Sequence, residues 1–364
     1  MAKTRVLHVG LDTYLGGIET YLLKLAKNID KDKYQFDFLM YDGNEPCFYN
    51  ELKALGCKFH NVVSRRKNYI KNIKELRELF KHEHFDIVHC HQNSLSYVTP
   101  ILEAVRSGCR VVVHSHNSGN LSGSLVRIRH DLNRYRVPIN RVVCVAVSDL
   151  AGQWMFGKES EFKVINNGLD TTLYEYNEAY RNEIREEFGI GNKELILHTG
   201  AFRKQKNHEQ LIDIFKFYQQ EHPESILMLV GDGELKGEIE NKVQELELTE
   251  NVIFAGKRSD IPRILSAADK YLFPSFYEGF PNALIEAETS GLYCVAADTI
   301  TRQVQIEGVC EYVSLNAPLK DWAKALEHDP VENRVKYADL VEAAGLGIGS
   351  EMERINLLYE GSLE

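Results

Sequence analysis

Two glutamates, Glu278 and Glu286, lie on either side of a turn that contains Pro281. Proline suits the first turn of a helix, so the amides of residues 282–284 would point out of a helix amino terminus. Such amides form a ready site for an anion such as a diphosphate. Glu278 could then accept a hydrogen bond from a sugar hydroxyl, and Glu286 from ribose hydroxyls. Taken alone, the spacing favours a simpler interpretation, because two glutamates at the start of a surface helix are common.

A basic loop follows the predicted strand at residues 195–199 and contains Arg203, Lys204 and Lys206. Cations at this position could neutralise a departing nucleotide diphosphate. A solvated loop is the simpler alternative, especially for Arg203.

A glycine pair, Gly16 and Gly17, comes after the first predicted strand and before a helix. Glycine permits positive φ and a close approach of the backbone to a ligand. A tight turn would explain the pair equally simply. However, ligands in doubly wound folds bind at the carboxyl ends of the strands, which favours contact with a bound phosphate or sugar.

Four histidines lie near the ends of two successive predicted strands, His89 and His91 on one and His114 and His116 on the next. Alternation along a strand places His114 and His116 on one face. An imidazole there could hydrogen-bond a hydroxyl or a developing charge. Zinc is an alternative, but no carboxylate or cysteine ligand spacing supports it. We therefore expect structural, hydrogen-bonded roles for His89 and His91, a functional role for His116, and no metal.

Short apolar runs alternate with longer amphipathic ones, and this rhythm predicts the elements that would position these residues. Strands are predicted at residues 6–9, 36–40, 58–63, 86–89, 111–114 and 142–147, and again at 195–199, 226–230, 252–255, 271–273 and 293–296. Helices are predicted at residues 18–28, 69–82, 207–220 and 237–246, with a last helix that starts at Ser350 and has a capping box completed by Glu353. Buried Val- and Ile-rich runs between helices indicate parallel strands in doubly wound sheets.

A turn rich in Asn, Gly and Asp near residues 166–175 predicts a domain boundary. We expect an N-terminal Rossmann-like domain at 1–168, a C-terminal one at 169–349, and a final helix at 350–364 that packs back toward the first domain. Two such domains would place ligands at strand ends that face the interdomain crevice.

The composition, 44% hydrophobic and 26% charged over 364 residues, is typical of a soluble globular protein. A net charge of −10 argues against a dedicated nucleic-acid binder. Seven cysteines without a CxxC pair favour reduced thiols in a cytosolic protein. The amino terminus lacks the apolar core of a signal peptide, and no apolar run approaches the roughly 18 residues of a spanning helix. Any membrane contact is therefore expected to be peripheral.

Residues 273–287 strongly resemble glycosyltransferase family 4, whose members carry two glutamates separated by seven residues after a Pro-Ser-x-x-Glu-Gly-Phe turn. Other motifs similar to those of the family follow in the usual order at 15–19, 112–117, 145–149, 164–170, 200–207 and 230–235. Several are weak singly, but their joint order is specific. The resemblance implies an α/β GT-B fold, in which two Rossmann-like doubly wound parallel-sheet domains face each other across a cleft. The acceptor side would be N-terminal and the nucleotide-sugar side C-terminal.

The resemblance also implies a retaining, metal-independent hexosyltransfer without a cofactor, from a nucleotide sugar that we expect to be a UDP-sugar. The implied catalytic residues are His116, Glu278 and Lys206. The expected donor-binding residues are Gly16, Gly17, Arg203, Lys206, Phe280, Asn282, Ala283, Leu284 and Glu286. The position of the usual family arginine is Ala201, so we expect Arg203 to substitute for it. Residues 30–32 form a DxD, the metal motif of a different glycosyltransferase fold, and here a solvated turn is expected.

The segment 121–141 is basic and amphipathic, with apolar residues at helical spacing and a single acid, Asp131. Its arginines include Arg127, Arg129, Arg134 and Arg136. Such a segment either contacts an anionic membrane surface or is simply a solvated helix face. The whole sequence is similar to bacterial exopolysaccharide and capsule glycosyltransferases, whose acceptors are often lipid-linked sugars. We therefore expect a cytoplasmic protein, with peripheral contact to the inner face of the membrane as one possibility.

Two further functions remain open from the sequence. A non-hydrolysing nucleotide-sugar 2-epimerase has a similar two-domain fold, and a catalytically silent partner subunit would be consistent with the departure at Ala201. A nicotinamide-dependent dehydrogenase is disfavoured, because no G-x-G-x-x-G follows the first strand.

Overall fold

A computed structural model describes residues 3–119, 124–329 and 331–363. The chain divides into two compact units, an N-terminal unit of Met1–Asn167 with Glu351–Glu364 and a C-terminal unit of Gly168–Ser350. Each unit consists of one sheet with helices packed against it, and each is described by itself below.

The N-terminal unit is built on a parallel sheet of seven strands, in the order β3-β2-β1-β4-β5-β6-β7. The strands are β1 Thr4–Val9, β2 Tyr34–Tyr41, β3 Lys58–Val62, β4 Ile87–Gln92, β5 Arg110–Ser115, β6 Val143–Ala146 and β7 Lys163–Val164. The helices are α1 Gly17–Asn28, α2 Tyr49–Ala54, α3 Tyr69–His82, α4 Thr99–Ser107, α5 Ser124–Arg134 and α6 Asp149–Phe156, with a 3-10 turn at Ile139–Arg141. The order reverses between β1 and β4, which is the switch point where such sheets bind ligands.

The C-terminal unit has a parallel sheet of six strands in the order β10-β9-β8-β11-β12-β13. The strands are β8 Leu195–Thr199, β9 Ile226–Val230, β10 Val252–Gly256, β11 Lys270–Phe273, β12 Tyr293–Ala297 and β13 Cys310–Val313. The helices are α7 Thr171–Tyr174, α8 Glu178–Glu187, α9 His208–Gln219, α10 Lys236–Glu245, α11 Ile261–Ala267, α12 Asn282–Thr289, α13 Leu319–Leu326 and α14 Lys336–Val341. Single turns lie at Lys204–Lys206, Arg302–Val304 and Glu342–Leu346.

The last helix, α15, spans Ile348–Glu360. Its side chains Ile355, Leu358 and Tyr359 are buried in the core of the N-terminal unit. The guanidinium of Arg110 donates to the carbonyl oxygens of Leu358 and Tyr359 at 2.6 and 2.8 Å. These contacts join the end of the chain to the sheet of the N-terminal unit.

Every strand predicted from the apolar runs is present, and the helix predicted at 69–82 has those bounds. The prediction that α15 begins at Ser350 is wrong by two residues. The helix instead starts directly after a β-bridge between Leu169 and Gly347. The Ile348 amide, at the first position of the helix, donates to the Leu169 carbonyl at 2.9 Å. The strands β7 and β13 were not predicted, because they are short and lie at sheet edges.

All seven cysteines are free, as the absence of CxxC spacing indicated. Among the described residues, none of the helices combines the length and the apolar character needed to cross a bilayer.

Candidate active site

Two loops meet at the carboxyl ends of β8 and β11, the two central strands of the C-terminal sheet. The loop after β8 begins at Gly200 and packs against the loop after β9 at Gly231, where a β-carbon would overlap the Gly200 carbonyl oxygen. Gly231 also has φ +150°, which favours glycine. This close backbone contact fixes the start of the basic loop above the strand ends.

An ion pair links the loop after β8 to the loop after β11, because the Lys206 Nζ lies 2.8 Å from Glu278 Oε1. The Gln205 side-chain amide donates to the other Glu278 oxygen at 3.0 Å, and the Gln205 backbone carbonyl accepts from the Phe276 backbone N–H at 2.9 Å. The ammonium group also lies 4.8 Å from the centre of the Phe273 ring. Because the Lys206 and Glu278 side chains are only 17% and 9% exposed, this charge-assisted pair is shielded from water more than a surface pair is.

Gln205 was not predicted as a site residue. Its amide donates both to Glu278 and to the Tyr277 carbonyl, which holds the carboxylate against Lys206. Glutamine in a polar loop carries no motif of its own, and only the fold brings it within reach of a residue 73 positions away.

The turn after Glu278 leads into α12, as predicted. However, not all of the backbone amides of residues 282–284 are free to bind an anion. The Asn282 amide donates to the Phe280 carbonyl at 3.0 Å, and the Leu284 amide donates to the Pro281 carbonyl at 2.9 Å. The expectation of three free amides is therefore wrong for two of them, because the turn closes on itself. The Ala283 amide has no partner among the described residues. Phe280 is buried and anchors the turn.

Glu286 lies in α12 and accepts a hydrogen bond from the Tyr174 hydroxyl of α7 at 3.2 Å. Desolvation raises the pKa of Glu286 to about 7, against the smaller opposing effects of the Tyr174 hydrogen bond and the Lys206 charge. Near neutral pH this carboxyl can therefore donate as well as accept a hydrogen bond. Tyr174 was missed by the sequence reasoning, since it lies in a helix of four residues at the start of the unit.

Arg203 is exposed, and its guanidinium has no hydrogen-bond partner among the described residues. It precedes the turn that carries Lys206, so it is near the ion pair in sequence. Among the described residues of the C-terminal unit, none fixes the Arg203 side chain at the place left by Ala201.

In the N-terminal unit the predicted glycine loop lies between β1 and α1. Gly16 is the extended residue before α1, and Gly17 is the first residue of the helix. A β-carbon on Gly16 would lie 2.9 Å from a carboxylate oxygen of Glu19, whereas one on Gly17 would have no atom within 4 Å. Glu19 is buried and accepts from the Asp12 amide at 3.2 Å, which braces the loop from below.

A cavity of about 490 Å³ opens beside this loop at the switch point of the N-terminal sheet. Its walls include Asp12, Tyr41, Arg65, Tyr97 and His91. Arg65 lies over the Tyr97 ring at 4.6 Å and donates to the Ser96 carbonyl at 2.7 Å, so its guanidinium is held in place. The cavity can accommodate a polar ligand, and the Tyr41 and Tyr97 rings in its walls offer faces on which the ligand could stack.

Five histidines share one face of the N-terminal sheet, and we call them the histidine layer. Its members are His8 of β1, His89 and His91 of β4, His114 of β5 and His116 just after β5. Strand register places His8 beside His89 and His91 beside His114. Helix α1 and helix α15 cover the layer with Tyr21 and Tyr359.

The layer contains two hydrogen-bonded chains. In the first, His91 Nε2 lies 3.0 Å from His8 Nδ1, and His91 Nδ1 lies 3.0 Å from His116 Nε2. In the second, His89 Nε2 lies 3.2 Å from His114 Nδ1, and His89 Nδ1 lies 2.9 Å from the Tyr359 hydroxyl. Both ring nitrogens of His89 and of His91 thus have partners, so the two rings are hydrogen-bonded as expected.

Burial lowers the pKa of the histidines in the layer. The pKa of His116 falls to about 3, through desolvation first and the nearby Lys24 charge second. The pKa of His8 also falls to about 3, and those of His89, His91 and His114 fall well below the ordinary value, in each case chiefly through burial. The rings are therefore neutral at physiological pH. His8 was missed by the sequence reasoning, because it stands alone in the first strand.

Two sets of three imidazoles in the layer could in principle hold a metal ion, since their nitrogens lie within 4.8 Å of one another. The sets are His8, His89 and His91, and His91, His114 and His116. Most of these nitrogens already pair with each other at hydrogen-bond distance, and neither set includes a carboxylate or a thiolate.

The basic segment folds as α5, and its residues 121–123 lie outside the described part of the chain. Arg127, Arg129 and Arg136 are exposed. The prediction that Arg134 belongs to the same free face is wrong, because its guanidinium donates to the Trp154 and Met155 carbonyls at 2.7 and 3.2 Å and anchors α5 to α6. Of these exposed arginines, Arg136 donates to Asn133 Oδ1 at 3.0 Å. Four apolar side chains of the same segment are also exposed, Leu125, Ile128, Leu132 and Tyr135.

Comparison with known proteins agrees with this geometry. Residues 15–173 match the profile described as Glycosyltransferase Family 4, and residues 180–327 match Glycosyl transferases group 1. The glycosyltransferase EpsF of Bacillus subtilis is 32% identical over 96% of this chain and 94% of its own length. This chain belongs to glycosyltransferase family 4.

A second relative of this family 4 enzyme is the UDP-Gal:alpha-D-GlcNAc-diphosphoundecaprenol alpha-1,3-galactosyltransferase of Escherichia coli, 25% identical over 82% of the chain and 80% of that protein. Among solved structures, Alr3699/HepE of Anabaena in complex with UDP superposes with a TM-score of 0.79 at 19% identity, covering 98% of this chain and 100% of that one. The same protein in complex with UDP-glucose gives 0.76, with 98% and 99% covered. The predicted GT-B fold is thus confirmed, and the epimerase alternative is replaced by the glycosyltransferase assignment.

Proposed function

We propose that this glycosyltransferase moves a sugar, with retention of configuration and without a metal, from a UDP-sugar to a saccharide or lipid-linked saccharide in surface polysaccharide synthesis. The observation that carries the proposal is the Lys206–Glu278 pair, held by Gln205 beside the amino terminus of α12. It combines a shielded cation for a phosphate with a carboxylate for a sugar hydroxyl in one place.

The proposed catalytic step uses these groups in turn. When the donor binds, its diphosphate competes with Glu278 for the Lys206 ammonium and accepts from the free Ala283 amide. Both contacts strengthen as negative charge develops on the leaving nucleotide. Glu278 remains beside the sugar and accepts a hydrogen bond from one of its hydroxyls. Asn282 and Leu284 would then shape the turn, with Phe280 packed beneath it, and Arg203 would add a mobile cation.

Glu286 is proposed to bind the ribose. Its buried carboxyl, paired with Tyr174, can exchange hydrogen bonds with two neighbouring hydroxyls. In the N-terminal unit, Gly16 and Gly17 are proposed to approach donor oxygens through their backbone, and His116 to hydrogen-bond the donor sugar, as the family resemblance implies.

No protein base is needed in this mechanism. The anomeric carbon develops oxocarbenium character as the nucleotide leaves, and the acceptor hydroxyl attacks the same face. Its proton passes to the leaving phosphate oxygen. The C–O bond to the diphosphate breaks, the new glycosidic bond forms, and UDP departs with the proton.

The choice of UDP and of a lipid-linked acceptor is supported by the relatives. Alr3699/HepE has been crystallised with UDP and with UDP-glucose, and the name of the Escherichia coli enzyme specifies a UDP-Gal donor and a diphosphoundecaprenol acceptor. In this chain the cavity beside Asp12 and Arg65 is the proposed place for the acceptor, whose sugar rings could stack on Tyr97.

A lipid-linked acceptor would bring the enzyme to the cytoplasmic face of a membrane. The exposed Arg127, Arg129 and Arg136 could contact anionic headgroups, while Ile128 and Leu132 enter the interface. Sedimentation with anionic and with neutral vesicles tests this part. No binding to anionic vesicles at low salt would remove the membrane from the proposal.

The experiment that tests the function is a panel of nucleotide sugars. A donor that binds only the folded protein raises its melting temperature. The donor with the largest effect is then incubated with lipid-linked acceptors, with and without EDTA, and the anomeric configuration of the product is read by NMR. Retained configuration and EDTA-resistant transfer support the proposal. Inversion or a metal requirement contradicts it, and donor binding without transfer until another chain is added would indicate a silent partner subunit.

A further inference from the structure

The chain His8–His91–His116 links a strand in the middle of the N-terminal sheet to the predicted functional histidine. Each of its two contacts joins two ring nitrogens at 3.0 Å. In a hydrogen bond between two nitrogens, one must carry the proton and the other must offer a lone pair. Since burial keeps all three rings neutral, each ring has one N–H only. The chain therefore has a direction, and only two directions are available.

The inner end of the chain decides between them. His8 Nε2 is buried and has no hydrogen-bond partner among the described residues. If the protons pointed inward, this atom would carry an N–H with nothing to accept it. If they point outward, it carries only a lone pair. Orphaned buried N–H donors are rarer in proteins than under-used acceptors, so the outward direction is favoured.

We propose that this buried chain fixes His116 in the tautomer that carries its proton on Nδ1. His8 Nδ1–H donates to His91 Nε2, and His91 Nδ1–H donates to His116 Nε2. The lone pair of His116 is thereby occupied, and the ring nitrogen left for a ligand, Nδ1, has no partner among the described residues.

The consequence for recognition is specific. His116 offers an N–H and no free lone pair, so it binds an oxygen that accepts, such as a sugar hydroxyl oxygen or a phosphate oxygen. It cannot act as a general base. This inference rests on the proposed function for the identity of the ligand, whereas the proton positions can be measured without any ligand. His8 and His91 are positioning residues that act through His116.

The second chain of the layer provides a matched control. His114 is as buried as His8, and its ring lies 4.3 Å from that of His116. It pairs with His89 and not with His116, and its own Nε2 is also a buried atom without a partner among the described residues. A His114→Phe substitution therefore removes a buried imidazole of the same layer but leaves the first chain intact.

The direct test is the ¹⁵N NMR spectrum of the full chain labelled in its histidine rings. Nitrogen shifts and long-range couplings distinguish N–H from lone-pair nitrogens, and the His8→Phe, His91→Phe and His114→Phe variants assign the signals. We expect Nδ1–H on His8, His91 and His116 in the wild type and in His114→Phe. In His91→Phe, the His116 proton should become distributed between both ring nitrogens. The same is expected in His8→Phe, because His91 loses the donor that fixes its own tautomer. A wild-type His116 with Nε2–H, or an N–H on His8 Nε2 directed at the neighbouring Phe36 ring, overturns the proposal.

An activity measurement adds a second readout. Donor contact by a fixed N–H predicts a kcat lower by about 10-fold in His91→Phe, with a smaller decrease in His8→Phe and near-normal turnover in His114→Phe. Phenylalanine fills the space of each ring, and melting temperatures identify a variant that fails to fold. Equal losses in all three variants would show a packing role only. If the enzyme proves inactive with every donor, the proposed function fails while the NMR result still decides the tautomer.

Discussion

In the C-terminal unit the candidate catalytic groups, Lys206 and Glu278, are charged and lie on loops, whereas in the N-terminal unit the histidine layer is neutral and lies on strands or directly after one. Lys206 and Glu278 hold each other across two loops at 2.8 Å, with Gln205 as a brace. His91 and His116 are held by the sheet itself and by hydrogen bonds between rings. Both arrangements orient polar groups, but by different physical means.

The difference suggests a division of labour. A charged pair on loops can exchange its partner, and in the proposed mechanism Lys206 leaves Glu278 for a diphosphate at small conformational cost. A buried layer of neutral rings cannot rearrange without breaking hydrogen bonds in the core, so it can hold one nitrogen in one protonation state. We expect the C-terminal site to respond to donor binding and the N-terminal layer to remain unchanged.

The largest effect is expected from the charged pair. Lys206→Ala and Glu278→Ala should each slow transfer at least about 100-fold, or about 2.7 kcal/mol of transition-state stabilisation. The first variant loses the proposed contact to the leaving diphosphate, and the second loses the proposed hydrogen bond from the sugar. Steady-state kinetics with the best donor check this. The control is Lys204→Ala, which removes an exposed lysine from the same turn and should have little effect. Near-normal turnover in both Lys206→Ala and Glu278→Ala would reject the assignment.

The close backbone contact between Gly231 and Gly200, which supports the loop of Lys206, can be tested by substitution of Gly231. A Gly231→Ala substitution should destabilise the protein by about 2 kcal/mol or more, since it combines a strained φ with overlap of the Gly200 carbonyl. Gly256→Ala is the matched control, because Gly256 has φ +68° but no atom within 4 Å of a β-carbon. Urea unfolding of both variants separates the steric effect from the strain. Equal stabilities of Gly231→Ala and Gly256→Ala would show that the loop accommodates a β-carbon at residue 231 by a small backbone shift.

The glycine loop of the N-terminal unit predicts an effect on binding without an effect on folding. Gly17→Ala should raise the KM for the donor about 10-fold, about 1.4 kcal/mol, if the donor approaches the backbone there. Stability should be unchanged or slightly higher, since alanine is the better helix former and the space around Gly17 is open. Gly237→Ala, in α10 with equally open surroundings, is the control for the helix effect. An unaltered KM in Gly17→Ala would show that the glycine loop forms only a tight turn and does not contact the donor.

The smallest effect is expected from the ionisation of Glu286. Its pKa is raised to about 7 in the folded state, so the folded protein holds a proton that the unfolded chain releases near pH 4.5. Stability is therefore lost as the pH rises between these values. The melting temperature of the wild type should fall relative to that of Glu286→Gln from about pH 5 to pH 7, and the difference should then level off. Glu250→Gln, an exposed change in the same unit, should follow the wild type throughout.

Contiguous features of the molecule could be predicted from the sequence. The strands, the helix at 69–82 and the segment from Phe273 to Glu286 depend on residues close together in the chain, so periodicity and a local motif were sufficient. The same locality explains the error at Asn282 and Leu284. A motif indicates that a helix begins there, but not that the preceding turn closes on its own amides.

Features that depend on distant residues could not be predicted. His8 joins the histidine layer only because β1 pairs with β4, 83 positions from its partner His91. Tyr174 reaches Glu286 across 112 positions, and Arg134 is anchored by carbonyls of α6. None of these contacts has a fixed spacing in the sequence, since each is set by the order of strands and the packing of helices.

Calorimetric titration of UDP tests the central claim most directly, that Lys206 is transferred from Glu278 to the diphosphate of the donor. Wild type and Lys204→Ala should bind UDP equally well, while Lys206→Ala should bind it at least about 10-fold more weakly, a loss of about 1.4 kcal/mol. Equal affinity of Lys206→Ala and the wild type, or no binding of UDP to the wild type, would contradict the account.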